Sequence, residues 1–217
     1  MPAISDLATA LRPAHWAKNF LVLAPVFFTG RAGHAWSMLR GGLAFAVFCA
    51  AASAVYLFND WWDAPADRSD PRKARRPYAA GRISERTLWA MMAACAAAAA
   101  AGCAFLPWGV AGMAVAYATG MVLYTVLFKR WSMAGAAVIS LGMIARIFAG
   151  AAAIQVCVSA WVLPCTFFLT CYVVAGKRAF DAPGTHRSPA HRAAFYALGA
   201  VTMLCYVFYT FTDVTIQ

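Results

Sequence analysis

Four of the eight acidic residues in this chain of 217 fall between Asp60 and Asp70. Asp60, Asp63 and Asp67 stand at i, i+3 and i+7, directly after Asn59, a spacing that places side chains on one face of a helix. Three carboxylates on one face repel each other unless a cation sits among them. A hard divalent ion such as Mg²⁺ is the natural partner, held by one or two carboxylates plus substrate phosphates. Arg68, Arg72, Lys73, Arg75 and Arg76 follow at once, placed to meet phosphate oxygens. The plain alternative is a solvated loop of mixed charge. Against it stands the position of the cluster, abutting an apolar stretch in a chain otherwise starved of acids. Pro65 removes a helical hydrogen bond, so the Asp face is expected to bend between Asp63 and Asp67, or Asp63 to cap a new turn.

A second polar loop, Gly176 to Arg187, offers Lys177 and Arg178, the single acid Asp181, and then a turn with Pro183 and Gly184. Lysine and arginine at a membrane boundary are ordinary anchors, but opposite an acidic cluster they make half of an anion site. Arg146 lies inside an apolar stretch. A charge there is costly and is a functional candidate by default; it either lines a polar cavity or snorkels to the far interface. The four histidines show no catalytic pattern, and the seven cysteines form no CxxC pair, which fits small buried residues.

The elements that carry these residues are read from hydropathy. Apolar residues are 63% of the chain, charged residues 12%, and the mean hydropathy is +0.65, too few polar groups to coat a water-soluble domain. About 20 apolar residues span a bilayer, and seven stretches approach that: 17–30 (short), 40–59, 87–107, 109–128, 132–153, 160–176 and 193–212. The expected fold is a single all-α, polytopic transmembrane bundle over 1–217, with a short cytoplasmic N-terminus at 1–16 and no secretory signal. With that N-terminus inside, 15 of the 18 Lys and Arg fall on the cytoplasmic side, Arg31 and Arg40 outside, and Arg146 within a span. This asymmetry orients the chain and puts both polar loops in the cytoplasm, at a plasma (inner) membrane. Nucleic acid is excluded as a partner, because the basic residues sit in short loops where orientation and anionic membrane lipids account for them. A homo-oligomer stays open.

Asn59-Asp60-x-x-Asp63-x-x-x-Asp67 resembles the NDxxDxxxD signature of the UbiA-type intramembrane prenyltransferase superfamily. Five further stretches resemble one branch of it, the polyprenyl-phosphate (decaprenyl-phosphate) phosphoribosyltransferases. They are Leu11-Arg12-Pro13-Ala14-His15-Trp16-Ala17-Lys18-Asn19, Arg76-Pro77-Tyr78-Ala79-Ala80-Gly81, Phe128-Lys129, Ile144-Ala145-Arg146-Ile147-Phe148-Ala149-Gly150 and Val174-Ala175-Gly176-Lys177-Arg178. The resemblance runs from about residue 11 to 210.

It implies Mg²⁺-dependent transfer of a 5-phosphoribosyl group from phosphoribosyl pyrophosphate to a polyprenyl phosphate, releasing pyrophosphate. By matching positions, Asp60, Asp63 and Asp67 would hold Mg²⁺ and the pyrophosphate. Asn59 would shape the site, and Lys129, Lys177 and Arg178 would bind donor phosphates. Lys18, Arg76, Arg146 and Asp181 join the substrate-binding set, Asp181 standing where the family usually has Glu. Two departures bear on this. The superfamily typically has nine spans, so the last two are expected to be missing here. The region of the sixth and seventh spans lacks a second Asp-rich motif; one acid and two cations there suit a phosphorylated sugar better than a second diphosphate–metal site. The alternatives are an isoprenyl diphosphate donor, or an inactive, truncated lipid-binding membrane protein.

Overall fold

The computed structural model describes residues 3–129, 132–180 and 189–211, and among these no strand occurs. Eight α-helices follow in order: α1 Ile4–Leu11, α2 Ala24–Phe28, α3 Ala35–Asp67, α4 Glu85–Cys103, α5 Trp108–Leu123, α6 Ser132–Ile154, α7 Val162–Phe180 and α8 Pro189–Phe211. A 3₁₀ segment, Pro13–Val22, joins α1 to α2, and a π-helical turn, Tyr124–Phe128, closes α5.

Among the described residues, five helical stretches are long and apolar enough to cross a membrane: Ala35–Asp67, Glu85–Cys103, Trp108–Phe128, Ala134–Ile154 and Arg192–Phe211. α7 is apolar over Val162–Lys177 but shorter. The stretch expected to form a first span at 17–30 is no single helix. Pro25 at the start of α2 lacks the N–H that would continue a helix from residue 21, and Gly30, at φ 67°, ends α2.

α3 is the organising element. It packs against α4, α5, α6 and the 3₁₀ segment, and Ala44, Val47, Phe48 and Ala52 are buried along it. At about 1.5 Å per residue its 33 residues run roughly 50 Å, well beyond the ~30 Å hydrocarbon layer. The surplus is the acid-bearing end: the helix continues through Pro65 to Asp67, so Asp63 caps no new turn. α6 is the second buried helix. Its Gly150 meets the 3₁₀ segment so closely that a Cβ there would lie 1.9 Å from the Val22 carbonyl oxygen. α7 leans on α6, and α8 on α7. α4 and α5 are sequential but barely touch, leaving an apolar cavity of about 720 Å³ lined by small residues such as Ala96, Ala100 and Ala111.

The two arginines expected on the far side both reach the end of α6. Arg31 Nη1 donates to the Ile154 carbonyl at 3.1 Å and Arg40 Nη1 to Gln155 Oε1 at 3.3 Å. Cations there complement the unpaired carbonyls of a helix C-terminus.

Candidate functional site

α1 lies across the acid end of α3. Ala10 is buried with Leu57 of α3, Leu88 of α4 and Ile83, and Leu7 and Leu11 pack against that cluster. The chain then turns at Arg12, which adopts the left-handed conformation at φ 54°, ψ 58°. A residue before proline is disfavoured in the right-handed helical region, so Pro13 helps expel Arg12 from it. A non-glycine residue held there stores strain that the surroundings must enforce. Here the surroundings are ionic. The Arg12 guanidinium pairs with Asp60 and lies 5.1 Å from the centre of the Tyr56 ring. Trp16 Nε1 donates to Ser53 Oγ at 3.1 Å, and Ser53 donates to the Leu11 carbonyl at 3.0 Å, fastening this turn to α3.

Asp60 and Asp67 are 3% and 2% exposed, and their carboxylates converge on one nitrogen. Arg76 Nη1 lies 3.4 Å from Asp60 Oδ1 and 2.5 Å from Asp67 Oδ2. Lys73 Nζ stands 3.9 Å from Asp67. The loop that delivers these cations is itself tied down. Asp70 accepts the backbone N–H groups of Arg72 and Lys73, which hold its carboxyl below the ordinary carboxylate value. Arg82 donates to Asp6 at 2.8 Å and to the Arg75 carbonyl at 2.9 Å. Ser84 caps α4 by accepting the Thr87 N–H.

Asp63 points elsewhere and pairs with Lys129. The π turn explains how that lysine arrives: an i→i+5 turn widens the helix at its end, and Thr125 within it lies 2.5 Å from Asn59 Oδ1. The sequence-predicted set thus divides. Asp60, Asp67 and Arg76 meet at one point, while Asp63, Lys129 and Asn59 meet α5 beside it.

Two carboxylates aimed at one cationic position suit a divalent ion that keeps oxygen sites open for phosphate. Among the described residues no group of three or more acidic, histidine or cysteine side chains gathers closely enough to hold an ion. The donor set therefore fits Mg²⁺ only when a phosphate contributes the remaining oxygens.

Arg146 does not snorkel. It is 4% exposed; its Nε donates to Asn19 Oδ1 and its Nη1 to the Gly142 carbonyl, both at 2.7 Å. The guanidinium carbon is 4.4 Å from the centre of the Tyr117 ring. Asn19 is wholly buried and donates through Nδ2 to Cys49 Sγ at 3.3 Å. Lys18, beside it, is exposed, as is Lys177 on α7. His15 stacks edge-on against Tyr56, with ring centres 5.2 Å apart. Burial and the charges of Lys18, Arg12 and Lys177, in that order, hold its imidazole below the ordinary pKa. The side chain of Arg178, and Asp181 altogether, lie outside the described residues.

Arg12, Asn19, Thr125 and Tyr117 join the site although residue type and spacing do not single them out. Arg12 and Asn19 do carry signals: a cation immediately before a proline, and an amide at the edge of an apolar stretch.

The sequence profile of the UbiA prenyltransferase family matches residues 19–212. The decaprenyl-phosphate phosphoribosyltransferase of Mycolicibacterium smegmatis is 34% identical over 182 residues, 81% of this chain and 56% of that protein. The enzyme of the same name from Corynebacterium glutamicum is 35% identical over 176 residues, 78% of this chain and 52% of that one. The chain spans about half the length of the curated relatives it matches. A UbiA homolog from Archaeoglobus fulgidus, solved bound to DMAPP and Mg²⁺, superposes with a TM-score of 0.76 at 20% identity, over 91% of this chain and 75% of that one. The likeness to that structure is one of fold.

Proposed function

The chain belongs to the UbiA prenyltransferase family, and from that premise we propose that it transfers a 5-phosphoribosyl group from phosphoribosyl pyrophosphate to a polyprenyl monophosphate. The proposed setting is the plasma (inner) membrane, with the acid end of α3 facing the cytoplasm. One observation carries the reading: two buried carboxylates, Asp60 and Asp67, converge on a single cationic position. The names of the curated relatives support the phosphoribosyl donor.

Asp60 and Asp67 would hold Mg²⁺, which when bound neutralises charge on the leaving pyrophosphate. Around them Arg12, Arg76 and Lys129 offer guanidinium and ammonium donors to the pyrophosphate oxygens, exchanging a carboxylate for a phosphate partner. A phosphate oxygen of the acceptor attacks C1 of the ribose. The bond from C1 to pyrophosphate breaks, and pyrophosphate leaves with the electron pair. No proton needs to move, so no protein nucleophile or base is required. The protein contributes orientation and exclusion of water, the latter helped by α1 lying across the site.

The test is a donor titration with and without Mg²⁺ on the detergent-solubilised protein. Phosphoribosyl pyrophosphate is expected to bind in a Mg²⁺-dependent way and geranyl diphosphate is not. The reverse result assigns an isoprenyl donor, the ligand class in the Archaeoglobus structures. Binding of neither marks a lipid-binding protein without transferase activity.

A further inference from the structure

Arg146 is buried without a counter-ion. Its hydrogen-bond acceptors are an amide, a carbonyl and a thioether, all neutral, and among the described residues no carboxylate pairs with it, with Lys18 or with Lys177. A buried charge without an opposite partner is expensive. The surroundings add to the cost, because the positive charges of Arg146 and Lys177 both act on Lys18. The acid end of α3 is different: the charges acting on Asp60 are Arg12, Arg76 and Asp67, with neither Lys18 nor Lys177 among them. Among the described residues these side chains therefore form a second polar cluster, whose charges are all positive. It is built from the 3₁₀ segment (His15, Lys18, Asn19), α6 (Arg146) and the end of α7 (Lys177), with α6 packed against both of the others.

We propose that this cluster binds the monophosphate head of the lipid acceptor, with Lys18 and Lys177 gripping its oxygens and Arg146 buried behind them. Asn19 acts as the positioning residue. The proposal rests on the transferase reading above and separates the acceptor's phosphate from the donor's. Lys177 accordingly belongs to the acceptor side, although its place in the chain suggests the donor. The depth of the Arg146 guanidinium favours a lipid. From Ser132, where α6 begins at the acid end, Gly142 is ten residues along, about 15 Å at 1.5 Å per residue, and the Arg146 guanidinium bonds back to the Gly142 carbonyl. A phosphate there is reached from within the bilayer. The Asn19 amide also has a fixed sense: its nitrogen faces Cys49, so its oxygen must face Arg146. Replacing that amide with a carboxylate places an anion where the guanidinium now has none.

The probes are farnesyl monophosphate, phosphatidic acid, ribose 5-phosphate and inorganic pyrophosphate with Mg²⁺, each titrated against the full chain in nanodiscs. The variants are Lys18→Gln, Lys177→Gln and Asn19→Asp. Lys18 and Lys177 are exposed, so folding is not at stake in the first two. Charge-assisted hydrogen bonds to phosphate are strong enough that each variant is expected to weaken farnesyl monophosphate by about tenfold or more. Pyrophosphate with Mg²⁺ is expected to change by less than about twofold, since its cations are elsewhere. Asn19→Asp is expected to raise or preserve thermal stability while losing the acceptor, a combination that a merely structural asparagine would not produce. Three results overturn the proposal: unchanged farnesyl monophosphate affinity in all variants, an equal loss for ribose 5-phosphate, or wild-type binding of phosphatidic acid as tight as that of farnesyl monophosphate. Failure of pyrophosphate to bind the wild type in Mg²⁺ would instead sink the transferase reading itself.

Discussion

The end of α3 and the surroundings of Arg146 both bury charge, and they do so in opposite ways. At the end of α3 each carboxylate is met by a cation of the protein's own: Asp60 by Arg12 and Arg76, Asp67 by Arg76 and Lys73, Asp63 by Lys129. Around Arg146 the partners are neutral, and the nearby charges share its sign. The first region is complete without a ligand, so binding there is an exchange of partners. The second, among the described residues, has no carboxylate of its own, and on the proposal above its counter-charge arrives with the acceptor. A group transfer between two phosphorylated molecules needs both kinds of place, one that releases a charged leaving group and one that holds a charged acceptor.

The comparison breaks most readily at Asp67. Asp67→Asn removes one of the two converging carboxylates, and Mg²⁺-dependent binding of phosphoribosyl pyrophosphate is expected to weaken by at least the roughly 10–100-fold typical of losing a metal site's supporting group. Isothermal titration measures it; unchanged affinity would reduce the acid cluster to an ion-paired connector.

A pair of apolar substitutions sharpens the contrast. Arg12→Met leaves Asp60 buried with only the longer contact to Arg76, and stranding a buried charge costs about 3–5 kcal/mol at the upper end. Arg146→Met strands no charge; it loses guanidinium hydrogen bonds but also removes a buried charge that has no opposite partner, so a net loss of only about 1 kcal/mol is expected. Denaturation of both variants in detergent should therefore show Arg12→Met as the less stable. Equal losses would mean that Arg146 has an anionic partner in the apo protein.

Lys129→Gln separates stability from binding. Its pair with Asp63 is partly exposed, so a stability change below about 1 kcal/mol is expected. Donor affinity is expected to fall about tenfold, and a fall in the melting temperature without a fall in affinity would assign Lys129 to structure alone.

The smallest effect concerns pH. The His15 imidazole titrates below its ordinary 6.5 in the folded chain, through burial first and then its cationic neighbours. A depressed folded value means that the unfolded state takes up protons first. The contribution of His15 is thus present above pH 6.5 and is lost as pH falls toward the depressed value. His15→Asn should show a shallower decline of melting temperature over that window, and an identical decline would mean that other groups set it.

Much of this architecture is legible in the order of residues. Asp60 and Asp67 share a face because α-helical spacing continues past Pro65, which sits in the last turn of α3, so that any kink it imposes displaces only the two residues after it. Arg146 stands out because a lone cation in an apolar stretch has no cheap explanation. Long helices such as α6 begin and end close to the limits of their apolar runs. What hydropathy does not encode is pairing over distance. Arg12 and Asp60 are 48 positions apart, and in a count of loop charges Arg12 is one basic residue among many. Nor does an average over a window reveal a change of helix type. The 3₁₀ segment and the π turn, which deliver Lys18 and Lys129, depend on the neighbours they pack against. The separation of Asp63 from Asp60 and Asp67 has the same origin, since Lys129 is brought to it by α5.

Gly150 gives the contact between α6 and the 3₁₀ segment a mechanical tolerance. One turn before it on α6 stands Arg146, and the backbone it nearly touches, at Val22, belongs to the segment that carries Lys18 and Asn19. The spacing between these two elements is therefore gauged by a missing carbon. A methyl group at position 150, far from any phosphate, would act as a shim: it would push the arginine and the lysine apart and detune the grip while leaving every gripping residue in place.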